Sequence, residues 1–164
     1  MSKSVENLQE AFAGESQANR RYLAFAEKAE REGYAQVARL FRAAAAAETV
    51  HAHNHLKVLK GIKSTAENLE EAITGETSEF REMYPRMIAA AQAEGNKDAE
   101  RTFNFANEVE KIHAALFQKA LKNLEDKTTT DIYVCSVCGY TVEGEAPESC
   151  PVCKAVKKMF KKID

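Results

Sequence analysis

The feature that most constrains this chain is a pair of Glu-x-x-His motifs, Glu48/His51 and Glu110/His113, set in one register of an internal repeat. With an offset of 62, residues 22–52 align without a gap on 84–114, and ten of those 31 positions are identical. Alanine identities weigh little in so alanine-rich a chain. Tyr22/Tyr84, Gly33/Gly95, Phe41/Phe103 and the two motifs weigh more, because all keep the same register. Such self-similarity points to two related helical hairpins, with their motifs meeting near a pseudo-twofold axis.

The hydrophobic pattern is helical. Phe41, Ala44, Glu48, His51, His55 and Val58 follow the three–four alternation of one helix face, as do Ala99, Phe103, Ala106, Glu110, His113, Phe117, Ala120 and Leu124. Leu8, Phe12, Glu15 and Tyr22 share a face of an earlier helix, and Glu76, Glu79, Met83, Met87 and Ala90 share a face of another. Gly33 and Gly95 stand where helices end. The pattern predicts helices at about 4–32, 35–61, 76–94 and 97–126, with a connection over 62–75. Four long helices with one long connection make a four-helix bundle. Pro85, inside the third helix, deprives the Arg81 carbonyl of its donor and predicts a kink there.

The apolar stripes carry charge where they should not. Glu15, Glu48, Glu76, Glu79 and Glu110 all fall on them. Burying one unpaired carboxylate costs several kcal/mol or forces its protonation. Lys and Arg do not share these stripes in matching number, whereas two divalent ions nearly balance five carboxylates. Residues three apart lie on one helix face, so each Glu-x-x-His can grip a metal from one side. Carboxylates can bridge two ions and each imidazole can cap one. Hard oxygens with two nitrogens suit iron or manganese, and zinc less exclusively. Tyr22 and Tyr84, two turns beyond Glu15 and Glu76, are read either as hydrogen-bond donors to the ligand carboxylates or as ordinary core tyrosines. His53 and His55 are read as surface or outlying residues.

Composition changes abruptly near residue 127, where a Lys-Thr-Thr-Thr run precedes all four cysteines and two of the three prolines. This predicts a bundle over 1–128 and a small second domain over 129–164. Cys135/Cys138 and Cys150/Cys153 form two Cys-x-x-Cys units with eleven residues between, a tetrahedral tetrathiolate pattern. About thirty residues cannot fold on apolar burial alone, so the metal is structurally required. A zinc ribbon would use the same ligands. Net charge is −2, which gives no case for nucleic acid, and no apolar run is long enough to span a bilayer. The expectation is a cytoplasmic chain with thiols kept reduced.

Residues 1–128 resemble the rubrerythrin branch of the ferritin-like family. That pattern has Glu on the first helix, Glu-x-x-His on the second, Glu-x-x-Glu on the third and Glu-x-x-His on the fourth. It falls here on Glu15, Glu48/His51, Glu76/Glu79 and Glu110/His113. The C-terminal part is similar to rubredoxin, through Cys-x-x-Cys-Gly-Tyr, Pro-x-x-Cys-Pro-x-Cys and Phe160, with Lys154 departing from the small residue usual there. The resemblance implies a mainly α, ferritin-like four-helix bundle holding an oxo- and carboxylate-bridged di-iron pair, followed by a rubredoxin-like domain with iron in its four-cysteine site. It also implies that Glu79 and His51 alternate as ligands of one iron. The implied activity is reduction of hydrogen peroxide to water in oxidative-stress defence. Electrons would come from an external rubredoxin or NAD(P)H-dependent reductase, since the chain has no Gly-x-Gly-x-x-Gly. Homodimers are implied, with one subunit's knuckle domain near the partner's di-iron site. A ferritin-like ferroxidase and a zinc-ribbon binding module are the competing classes.

Overall fold

The computed structural model describes residues 2–164. They form five α-helices and a three-stranded sheet, divided into two compact units, one ending at Lys63 and the other being Ser64–Asp164. The predominantly helical class expected from the sequence is the one found. The predicted domain break at 128/129 lies in the linker between the last helix and the first strand.

In the first unit, α1 (Lys3–Arg31) and α2 (Ala35–Val58) form a helical hairpin. Ser2 caps α1 by accepting from the Val5 amide, and Lys28 and Arg31 complement its C-terminal dipole. Gly33 ends the helix with φ of 85°, a left-handed conformation that lets Tyr34 donate back to the Ala29 carbonyl at 2.8 Å. The buried residues are almost all small: Ala18, Ala26 and Ala29 on α1, with Ala38, Ala45 and Ala52 on α2 at seven-residue intervals. Alanines let the two backbones approach closely, but each buried methyl contributes only about 0.8 kcal/mol. Leu23, Phe25, Val37, Leu40, Val50 and Val58 remain exposed.

In the second unit, α3 (Thr65–Ser78), a π-helical turn (Glu79–Met83) and α4 (Tyr84–Ala93) run without a break and pack on α5 (Lys97–Lys122). The predicted connection over 62–75 is therefore mostly helix. A reciprocal capping box between Ser64 and Glu67 starts α3 eleven residues before the expected 76. The π turn replaces the predicted kink: Pro85 has no N–H for the Arg81 carbonyl, and the preceding backbone widens so that Tyr84 donates to Glu79 instead. The turn into α5 repeats the first hairpin, with Gly95 at φ of 69° and Asn96 donating to Ala91 at 2.9 Å.

The C-terminal sheet has the order β2-β1-β3 and is antiparallel, with β1 at Ile132–Cys135, β2 at Thr141–Glu143 and β3 at Phe160–Ile163. Its largest fully buried side chains are Cys135 and Cys150, so the sheet is organised around sulfur rather than an apolar core. Tyr140 meets Phe160 edge-on at 6.1 Å. The sheet rests on α5 of the same unit through a Lys119–Glu143 ion pair and the side chain of Thr141.

Candidate metal centres

The tetrathiolate site is the more completely formed. Cys135 Sγ lies 3.6 Å from Cys153 Sγ, and Cys138 Sγ lies 3.6 Å from Cys150 Sγ. Disulfide sulfurs would be about 2.05 Å apart. Four sulfurs at about 2.3 Å from a tetrahedral ion would be about 3.8 Å from each other. The cysteines are free and spaced for an ion. Each knuckle turns on a left-handed residue after its second cysteine: Gly139 at φ of 85° and Lys154 at φ of 64°. Lys154 adopts there a conformation that is strained for any residue with a Cβ.

Electrostatics at the knuckles also favours a cation. Burial works to raise the Cys135 thiol, but the amides of Val137 and Cys138, together with the sulfurs of Cys153 and Cys138, outweigh it and hold the group below its ordinary range. Burial, against an opposing amide of Tyr140, pushes Cys138 up, and the surrounding sulfurs push it further. Cys153 is likewise raised by burial. Thiolates this close ionise together only beside a positive ion.

The glutamates and histidines gather as two triads, one in each unit. Glu15, Glu48 and His51 offer ligand atoms within 4.8 Å of one another, as do Glu76, Glu110 and His113. Helical spacing sets both: His51 Nδ1 lies 2.9 Å from Glu48 Oε2, and His113 Nδ1 lies 2.8 Å from Glu110 Oε2. In the first unit Asn19, buried beside this site, donates to the Ala45 carbonyl at 2.7 Å and to Thr49 Oγ1 at 2.8 Å. That bond ties α1 to the turn of α2 that carries Glu48.

In the second unit burial raises the Glu76 carboxyl to about 7, helped by a hydrogen bond with Glu110 and by the charge of that residue, and opposed by His113. Glu79, the first residue of the π turn, stands outside the compact triad, but burial and the charge of Glu76 raise it too. Burial and the charges of Glu110, Glu79 and Glu76 keep the Tyr84 hydroxyl protonated. Carboxylates gathered this closely in a partly buried place fit a site built for a cation. A cavity of about 450 Å³, lined by Leu69, Phe117, Ile132 and Thr141 among others, opens onto Glu76 and His113.

Tyr22 packs at 6.1 Å from Phe41, and its repeat partner Tyr84 at 6.3 Å from Phe103, so the duplication extends to ring contacts. Sequence reasoning missed Asn19, Thr49 and Thr141. A buried amide at a helix interface had a weak signal in Asn19, since it interrupts an alanine-rich face. Thr141 had none.

Comparison with known proteins agrees along the chain. The rubrerythrin family pattern matches residues 6–121, and the rubrerythrin rubredoxin-like domain matches residues 133–161. The chain belongs to the rubrerythrin family. Rubrerythrin-2 of Clostridium acetobutylicum is 41% identical, over 96% of this chain and 95% of its own length. Nigerythrin of Nitratidesulfovibrio vulgaris is 35% identical over 96% of this chain and 85% of its own. Among solved structures, a mixed-valence nigerythrin matches 99% of this chain and 88% of its own, with a TM-score of 0.60 and 35% identity. A fully reduced, all-ferrous nigerythrin matches at 34% identity with the same TM-score of 0.60. Membership in this family implies a di-iron site and a four-cysteine metal site, and the triads and knuckles supply donors suited to both. No helix among the described residues is long and apolar enough to cross a membrane.

Proposed function

We propose that this chain is a non-haem di-iron peroxidase that reduces hydrogen peroxide to water, with electrons arriving through an iron in the four-cysteine site. One observation supports the reading: Thr141 of β2 in the knuckle sheet is hydrogen-bonded to His113, so the four-cysteine domain lies against a carboxylate–histidine triad of the same unit. In this reading Glu15, Glu48, His51, Glu76, Glu79, Glu110 and His113 together hold the iron pair, and Cys135, Cys138, Cys150 and Cys153 hold the single iron. Bound iron would supply electrons in pairs at the first site and singly at the second.

The chain's own residues manage protons and access. Reducing one peroxide to two waters consumes two electrons and two protons. Glu76, with its carboxyl near 7, can hold a proton at neutral pH beside Glu110 and release it within the site. Tyr84 stays protonated and can donate without losing its hydrogen to solvent. The cavity beside Glu76 and His113 admits a small neutral oxidant. Glu79 lies outside the compact triad and His51 is 54% exposed, so both have the freedom that alternation as ligands requires.

A separate rubredoxin or NAD(P)H-dependent reductase is the electron donor in this proposal, and the cytoplasm, where thiols stay reduced, is its compartment. The exposed apolar residues of α1 and α2 support burial against a second copy in a homodimer. Light scattering should give twice the chain mass, and a large shell would point to iron storage instead. The activity is tested by reducing the iron-loaded protein without oxygen and following the colour of the tetrathiolate iron. Recovery should be much faster with equimolar peroxide than with dioxygen. Faster recovery with dioxygen would make the protein an oxidase or ferroxidase.

A further inference from the structure

Thr141 joins the two kinds of site, and its hydrogen bonds have a direction. Its Oγ1 lies 3.0 Å from the Gly139 carbonyl and 2.9 Å from His113 Nε2. A threonine hydroxyl has one hydrogen to give, and a carbonyl can only accept. The hydroxyl hydrogen therefore goes to Gly139, and a lone pair faces His113. His113 must then donate from Nε2. A neutral imidazole carries one N–H, so when a metal ion takes the place of the hydrogen shared with Glu110, Nδ1 is the nitrogen whose lone pair is free for it. Nδ1 is the atom that faces the carboxylates, 2.8 Å from Glu110 Oε2 and 3.7 Å from Glu76 Oε1.

We propose that Thr141 is a positioning residue: from the knuckle sheet it fixes His113 in the Nε2–H tautomer, so that Nδ1 is presented to a metal ion. The inference rests on reading Glu76, Glu110 and His113 as metal ligands, and adds that a residue outside the helices makes this triad competent. Gly139 follows Cys138 directly, so the backbone that wraps the tetrathiolate site also orients the histidine. The Lys119–Glu143 ion pair holds β2 against α5 beside this contact. Without the knuckle sheet docked, the imidazole is free to place its hydrogen on Nδ1 and donate it to Glu110, which blocks the ligand position.

The test uses the full-length chain labelled with ¹⁵N-histidine. With zinc in the four-cysteine site and the helical triads metal-free, long-range ¹H–¹⁵N correlation should show His113 protonated on Nε2. A hydrogen on Nδ1 with none on Nε2 overturns the proposal and needs no variant. Zinc is then titrated into the helical sites. Thr141→Val should weaken its binding about 10- to 100-fold, the range usual for removing the outer partner of a ligand histidine, and Thr141→Ser should keep the wild-type affinity. Equal affinity in Thr141→Val overturns the proposal. Loss of affinity in Thr141→Ser as well assigns the effect to sheet packing and also overturns it. If the wild-type chain takes up zinc at the cysteines alone, the metal reading of the triads fails first, and the two failures are distinguishable.

Discussion

The two triads descend from one repeated pattern and are braced in opposite ways. In the first unit the support is internal. Asn19 crosses from α1 to the Ala45 carbonyl and Thr49, one residue from Glu48. The positions 62 further on are Arg81, Asn107 and Lys111, so the second unit does not repeat this cross-link. It has a π turn on one side of its triad and the Thr141 hydroxyl on the other. His51 is held on its Nδ1 side by Glu48, whereas His113 is held at both nitrogens. The duplicated hairpins thus differ in one respect: one histidine has a hydrogen-bond partner at a single ring nitrogen and the other at both. In the proposed function, ligand alternation falls to the first and electron entry to the second.

The largest test of this difference removes the knuckle metal. Cys138→Ser should unfold the small sheet, because its core is the sulfur cluster and metal binding supplies its folding energy. The Nε2–H signal of His113 should vanish with it, while the signals of His51 stay in place. A His113 signal that survives loss of the sheet would mean the two triads are braced alike.

Protons separate the triads next. As a ligand in the proposed site Glu76 must be ionised, and its carboxyl is raised to about 7. Metal affinity should therefore fall about tenfold per pH unit below that value, since one bound proton must leave. For folding without metal the sign reverses. The folded carboxyl sits above its ordinary 4.5, so between 4.5 and about 7 the folded chain keeps a proton that the unfolded chain has lost. Stability from this group is present at low pH and declines as pH rises through that window. Denaturant unfolding of the metal-free protein across it should show the decline, and Glu76→Gln should abolish it. A rise in stability with pH in that protein would remove the raised carboxyl from the account.

Asn19→Ala tests the internal brace. It removes the Asn19 donor from the buried Ala45 carbonyl, which keeps its bond from Thr49 Oγ1, and from the exposed Thr49 hydroxyl, which should cost about 1 kcal/mol in chemical denaturation. His51 signals should broaden while those of His113 stay sharp. Equal broadening of both would mean that the brace is not local to the first triad.

The sequence made the repeated parts legible and hid the parts that differ between repeats. Glu48/His51, Glu110/His113 and the cysteines could be found because each carries its own chemistry at a spacing set by a helix turn or a tight knuckle. The start of α3 was hidden because a capping box at Ser64 and Glu67 acts through local hydrogen bonds, not through an apolar stripe. The π turn was hidden because Pro85 signals only a missing donor, and the backbone can answer by kinking or by widening. Thr141 was invisible for a deeper reason. Its role exists only through a tertiary contact 28 residues away from His113, and a threonine in a short strand is otherwise ordinary.

The smallest effect sharpens the comparison from the knuckle side. Gly139 and Lys154 occupy the same left-handed place in the two knuckles, but only Gly139 meets it without a Cβ penalty. Lys154 holds φ of 64° because its amide donates to the Cys150 carbonyl at 3.0 Å and its Nζ to the Pro151 carbonyl at 2.9 Å. Lys154→Gly removes a left-handed strain of about 1–2 kcal/mol. It also gives up the Nζ bond and adds freedom to the unfolded chain, so the net gain should be about 0.5 kcal/mol. Thermal unfolding of the sheet should shift upward slightly, with His113 held at least as firmly and His51 indifferent. A loss of sheet stability would mean that the lysine's bond to Pro151 outweighs its backbone strain, and that the second knuckle is fastened by its side chain where the first is fastened by its turn.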